Sequence, residues 1–219
     1  GPSNRFKGRR AAPRTSSRIR LSNPKPSWLE GNRVVYDKLN EEHITSVNYY
    51  RMSLESTPNV APLASLSKNE QLAYWLNLYN VTVYSKMAQE YPLVKTISLW
   101  KKKFWDEKGL FVEGKNLSLN DIQNIVIANW DSPLVIYGLY QGSVGGPNIQ
   151  NSAFTGENVW KKLNDSAKDF VNSIRGVQKK GKTLRVSKFY DRTKNAFPNF
   201  EEDLIEHIST FADKKTKAI

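Results

Sequence analysis

The chain has 219 residues, 39% of them hydrophobic and 25% charged, enough for one core of ordinary size. Cysteine is absent, which excludes disulfides, thiolate metal sites and a cysteine nucleophile. Net charge is +12, a value that by itself would suggest a nucleic-acid or anionic-surface partner.

The distribution of that charge changes its meaning. Residues 1–33 hold nine Lys/Arg against Glu30 alone, while the remaining residues carry 24 basic and 20 acidic groups. With Pro13, Pro24, Pro26 and almost no apolar periodicity, 1–33 reads as a basic, flexible, solvated arm. It could contact an anionic surface, and nucleic-acid binding through it would be strongly salt-dependent. Gly1-Pro2-Ser3 reads as the scar of a cleaved tag, so a signal peptide could have preceded it. No apolar run approaches the roughly 18 residues of a membrane span. The division expected is an arm (1–33), one globular domain (34–212) and a basic tail (213–219).

No repeat is visible. Ile44, Val47, Tyr50 and Leu54 at helical spacing predict a helix over 41–55, and Pro58 and Pro62 a loop after it. Ser67-x-x-Glu70 is a capping box that opens a helix running to Tyr91-Pro92. Residues 94–100 and 110–112 read as strands, and Glu113-Gly114-Lys115-Asn116 as a turn. Ser118-x-x-Asp121 repeats the cap before a helix to about 128. The run Leu134-Val135-Ile136-Tyr137-Gly138-Leu139-Tyr140 reads as a buried strand, ended by the glycine-rich stretch 142–147. A helix over 159–174, a short strand over 183–186 and a helix over 200–211 complete the pattern. The fold class expected is α+β: a helix-rich single domain with a small β-sheet around 134–140.

In the 67–91 helix, Leu72, Trp75/Leu76, Tyr79, Val83 and Met87 form the core stripe. Asn77 and Asn80 lie on a neighbouring face with Tyr84. A buried amide is costly unless its donors and acceptors are met. Two asparagines therefore demand partners: either the backbone of the 142–147 loop, which they would bridge to the helix, or a ligand or reacting group.

Other chemistry is thinner. Ser143 follows the apolar run, but Gly-Ser-Val-Gly-Gly is not a nucleophile elbow. The loop also lacks the pattern of a phosphate or dinucleotide site. His43 and His207, the only histidines, have no metal-ligand spacing and read as surface or packing residues. Among carboxylates, Glu70, Glu113 and Asp121 are the best acid or base positions, yet Glu70 and Asp121 are accounted for by capping. Trp28, Trp75, Trp100, Trp105, Trp130 and Trp160 read first as core, and Lys101-Lys102-Lys103 beside Phe104-Trp105 first as a solvated lysine run.

An ordered set of motifs carries a resemblance. Glu70-Gln71-Leu72-Ala73-Tyr74-Trp75-Leu76-Asn77-Leu78-Tyr79-Asn80, then Tyr91-Pro92-Leu93-Val94-Lys95-Thr96-Ile97, Leu117-Ser118-Leu119-Asn120-Asp121-Ile122, Gly142-Ser143 with Gly146-Pro147, and Leu184-Arg185-Val186-Ser187-Lys188-Phe189 resemble the family called domain of unknown function 547 (DUF547). The likeness covers about 66–211. It implies an exported bacterial protein, periplasmic or secreted, with its signal peptide removed, and supplies no reaction. The resemblance implies that many relatives carry an Arg-Val-His triplet and two cysteines where this chain has Leu134-Val135-Ile136, Gln141 and Gly146. A Cys/His mechanism therefore cannot operate here.

These observations lead to an expected ligand-binding domain, its cleft lying between the 67–91 helix and the 141–147 loop. Asn77, Asn80, Tyr137, Gln141 and Ser143 would contact a small molecule or protein partner, with no metal or cofactor. The alternative is a cysteine-free hydrolase of amide or glycosidic bonds using Glu70, Ser143 or Asn77.

Overall fold

A computed structural model provides the fold and describes residues 18–21, 31–91 and 102–217. The strand expected over 94–100, Trp28, Trp100 and most of the arm lie outside these residues.

Helix α1 (Glu41–Val60) is capped by Asn40, whose Oδ1 accepts from the His43 N–H at 2.9 Å. It runs through Pro58 rather than ending before it. A helical proline deprives the carbonyl four residues back of its donor; here that carbonyl, on Leu54, accepts from the Tyr74 hydroxyl at 3.0 Å instead. The expected loop is thus displaced to a short turn over Leu63–Ser65, after which α2 (Lys68–Glu90) packs against α1.

Helix α2 is the centre of the molecule. The capping box at Ser67 and Glu70 forms as the sequence predicts, and the helix buries residues around most of its circumference, among them Leu72, Leu76, Leu78, Tyr79 and Val83. A helix covered on nearly all sides has a mostly apolar surface with no simple two-faced pattern. In its middle turns, the stripe through Asn77, Asn80, Val81 and Tyr84 stays partly open, and both ends of the helix also reach the surface.

Helix α3 (Lys102–Asp106) leads to the hairpin of β2 (Leu110–Val112) and β3 (Lys115–Leu117). Glu113 and Gly114 take positive φ of 47° and 76°, the pair of left-handed residues that a two-residue hairpin turn requires. Glu113 also accepts the Leu63 N–H at 2.9 Å, and Glu55 accepts the Phe111 N–H at 2.7 Å, tying hairpin to helices. Phe104 and Trp105 turn into the core, so the aromatic half of the lysine-rich cluster is unavailable for stacking on a polymer. Helix α4 (Leu119–Asn129) carries the second capping box, from Ser118 and Asp121.

The apolar run that reads as a strand is instead a 3-10 helix over Pro133–Gly138. Pro133 and the Ser132 hydroxyl, which accepts from the Leu134 N–H at 3.3 Å, start it. Its surroundings are helices: it packs against α4 and α5, and a Cβ at Gly138 would lie 2.8 Å from Leu76 and 2.9 Å from Leu163. A continuous apolar run reports burial, and with no strand beside it among the described residues the backbone bonds close locally.

Helix α5 (Val159–Val171) is shorter than expected, ending three residues before 174. The small sheet lies elsewhere than around 134–140. Strand β4 (Val177–Lys180) pairs antiparallel with β5 (Thr183–Val186), and β5 pairs parallel with β1 (Ile19–Leu21), in the order β1-β5-β4. The sheet thus takes in a piece of the segment read as an arm. Helices α6 (Phe189–Arg192), α7 (Phe200–Phe211) and α8 (Lys214–Lys217) finish the described chain. The result is the helix-rich α+β domain expected, with one hydrophobic core around α2.

Candidate functional site

The two asparagines of α2 find main-chain partners. Asn77 donates from Nδ2 to the Phe154 carbonyl at 2.9 Å and accepts the Phe154 N–H on Oδ1 at 2.9 Å. Asn80 donates to the Gly138 carbonyl at 2.8 Å and accepts the Tyr140 N–H at 2.9 Å. Each amide acts as a length of backbone would, closing a two-bond pair with a distant segment. Both partner sites border the 142–147 stretch without being in it.

Asn77, Asn80, Val81 and Tyr84 form one wall of an open groove of about 280 Å³. Val47 and Tyr50 of α1 and the irregular segment 149–154 form the others. That segment is held at both ends by the same device: Asn77 at Phe154, and Asn32 at Ile149, where Asn32 Nδ2 donates to the carbonyl at 2.6 Å and Oδ1 accepts the N–H at 3.1 Å. Tyr84 is steadied by the ring of Tyr36, 5.9 Å away, whose hydroxyl meets that of Tyr140. Burial raises the phenols of Tyr50 and Tyr84 above their ordinary range, so both are neutral at physiological pH.

The 141–147 loop is built differently. Arg175, 1% exposed, donates to the Gly146 carbonyl at 2.6 Å and to Asp169 at 2.5 Å. The Ser187 hydroxyl donates to the Gly145 carbonyl. Gly142 has φ +66° and sits against α2, where a Cβ would strike Met87 Sδ at 2.2 Å. Gln141 is buried and donates to the Tyr79 hydroxyl at 3.2 Å and the Leu139 carbonyl at 2.9 Å. Its Cβ and Cγ occupy the space that a side chain at Gly146 would need. Ser143 Oγ is enclosed and has no hydrogen-bond partner among the described residues.

The other sequence-predicted positions are dispersed. Tyr137 is 1% exposed and lies in the core, its hydroxyl 3.1 Å from that of Tyr190 and 3.0 Å from His207 Nε2, with the imidazole stacked on the phenol. Burial lowers the His207 pKa to about 4. Glu70 is on the surface at the start of α2, and its bonds from the Ser67 hydroxyl and amide hold its carboxyl below the usual range. His43 is a cap partner on α1. Of the five predicted contact residues, Asn77 and Asn80 share the groove, Gln141 and Ser143 share the loop, and Tyr137 is separate from both.

Sequence reasoning missed Asn32, the 149–154 segment, Tyr50 as a wall and Arg175. Only Tyr50 left a trace, as a polar-tipped residue within an apolar helical stripe. The others lie in stretches with no periodicity. Among the described residues, no group of three or more His, Cys, Asp or Glu is placed to hold a metal, and no helix is long and apolar enough to cross a membrane.

No curated protein and no solved structure matches the chain. Residues 63–171, from the turn before α2 to the end of α5, contain both asparagines, the 141–147 loop and every groove wall except α1. They match the family model described as protein of unknown function, DUF547, and the chain belongs to that family.

Proposed function

We propose that this protein is a ligand-binding domain whose site is the groove between α1, α2 and residues 149–154. One observation carries the reading: the groove is concave and its rear wall is set in advance by Asn77 and Asn80, which hold segments 77 and about 60 residues away in sequence. A site fixed before the ligand arrives loses less ordering entropy on binding. Its aromatic faces and few polar groups suit a small molecule or a short stretch of a larger one.

The hydrolase alternative has less support. Ser143 Oγ has no hydrogen-bonded base among the described residues, and Glu70 is engaged at a helix cap and held ionised. The exported, periplasmic setting belongs to the proposal and rests on family resemblance alone; fractionation of cells making the natural full-length protein tests it.

A protein-observed NMR screen of uncharged polar fragments tests the site. The expected result is a set of saturable shifts confined to α1, α2 and 149–154, lost in Ala153→Trp, which fills the groove from its exposed side. Shifts that map elsewhere, or that persist in Ala153→Trp, overturn the assignment.

A further inference from the structure

We infer that the groove takes a neutral, hydroxyl-rich ligand, a saccharide presenting one ring at a time, an inference that rests on reading the groove as the ligand site. The first ground is charge. The chain has 33 Lys/Arg and a net charge of +12, yet among the described residues no charged side chain lines this groove. Lys162, which does not line the groove, has its ammonium committed to the Ser152 carbonyl at 2.8 Å and hydroxyl at 2.6 Å. An anionic ligand would leave its charge without a counter-ion here, and desolvating it would be costly.

The second ground is the supply of uncommitted neutral hydrogen-bonding groups. Among the described residues, none accepts from the main-chain N–H groups of residues 150–153, although the residues on either side, Ile149 and Phe154, are both clamped. The side-chain amides of Gln150 and Asn151 are likewise without a described partner. Asn77 and Asn80 each keep one N–H and one lone pair beyond the bonds they make. Donors and acceptors are thus offered by two adjoining walls, α2 and 150–153. A hydroxyl serves such walls well, because it can donate or accept at every position.

The third ground is the pair of tyrosines. Tyr50 and Tyr84 offer apolar ring faces with polar tips, the match for a pyranose, whose C–H faces are apolar and whose edge carries hydroxyls. The volume, about 280 Å³, is just under the lower end of small-molecule sites, and the groove is open, so a chain could pass along it. A peptide strand fits less well. Strand addition needs an extended edge, and the segment bends at Asn151 and Ser152.

The test uses the whole protein and five probes: maltohexaose, cellohexaose and chitohexaose as neutral saccharides, hexagalacturonate as an anionic one, and an uncharged hexapeptide blocked at both ends. Backbone and side-chain amide resonances are followed to about 10 mM probe, which covers the millimolar affinities of a single-ring site. The expected result is saturable binding of at least one neutral saccharide at 150–153, unchanged by salt, weakened about 10-fold by Tyr50→Ala and lost in Ala153→Trp. Tyr50 is 41% exposed, so its truncation leaves the fold intact, which an unchanged Tm verifies. Binding by hexagalacturonate or the peptide alone overturns the saccharide and leaves the groove as the ligand site. No shift at 150–153 with any probe also overturns the saccharide, and the fragment screen then decides the groove separately.

Discussion

Two neighbouring stretches of irregular chain, 141–147 and 149–154, meet their polar demands in opposite ways. The first is filled from within the protein: a buried guanidinium and a serine hydroxyl take its carbonyls, and Gly142 lies directly on α2. The second is clamped at Ile149 and Phe154 and has Lys162 on the Ser152 carbonyl and hydroxyl, but among the described residues nothing takes the main-chain donors of 150–153, which are left to solvent or to a ligand. Glycine-rich loops attract functional attention, yet here the glycines serve close packing, and the glycine-free segment beside them offers the open hydrogen-bonding wall. Polar groups with protein partners are architecture; those without, at a concave surface, are available for recognition.

The largest test of that contrast is Arg175→Ala. It removes the bond to Gly146 and leaves a cavity under the loop, and unfolding in urea should show a loss of about 2–4 kcal/mol. Arg175→Lys should recover little of it, because a point ammonium cannot span the Gly146 carbonyl and Asp169 as the planar fork does. Near-normal stability in Arg175→Ala would mean that the loop is not pinned as described.

Asn80→Ala comes next, at about 2–3 kcal/mol, with Asn77→Ala about 1 kcal/mol milder. Both leave a carbonyl and an N–H unpaired. Phe154 is itself buried, but its chain neighbours Ala153 and Thr155 are exposed, so water can replace the lost amide there more readily than within the wholly buried run 135–141 that holds Gly138 and Tyr140. The reverse order in the same urea measurements would contradict the placement of the groove.

His207 supplies a pH test of the core beneath the loop. Its folded pKa, about 4, lies below the ordinary value of 6.5, so the unfolded chain binds the proton more readily between these values. The contribution is fully present above pH 6.5 and is lost as pH falls towards 4, a change on the order of 1–3 kcal/mol. Comparing wild type with His207→Phe separates it from carboxylate titration: the variant should show a shallower decline in Tm over that window. Equal slopes would place His207 in water rather than on Tyr137.

The smallest effect is expected for Ser143→Ala. Its hydroxyl is enclosed without a partner, so removal should change stability by no more than about 0.5 kcal/mol in either direction. It should also leave any groove binding unaltered. A large loss would reveal a partner for Ser143 and move attention back to the 141–147 loop.

Much of the fold is legible in particular residues. Ser67 with Glu70, and Ser118 with Asp121, start helices where the capping pattern says, and Glu113-Gly114 turns the hairpin. The misreadings are equally specific. Pro58 would end α1 but for the Tyr74 hydroxyl, which takes the orphaned carbonyl of Leu54, 20 residues before it in sequence. Residues 134–140 have strand composition, but helices cover them on the sides where a strand would need its neighbours. For the site, Asn77 and Asn80 stand out as costly amides in an apolar run, while Asn32 and 149–154 look like any polar loop.

From sequence alone come the helix starts, the tight turn, the absence of cysteine chemistry and the demand that two asparagines be satisfied. Each is local, closing within about four residues of chain, or is a matter of which atoms are present at all. Tertiary structure alone decided who satisfies Asn77 and Asn80, that Arg175 rather than either asparagine holds the 141–147 loop, and that the open wall is 150–153. Those outcomes join residues 29 to 117 apart, where pairing depends on how whole helices pack and local spacing carries no information.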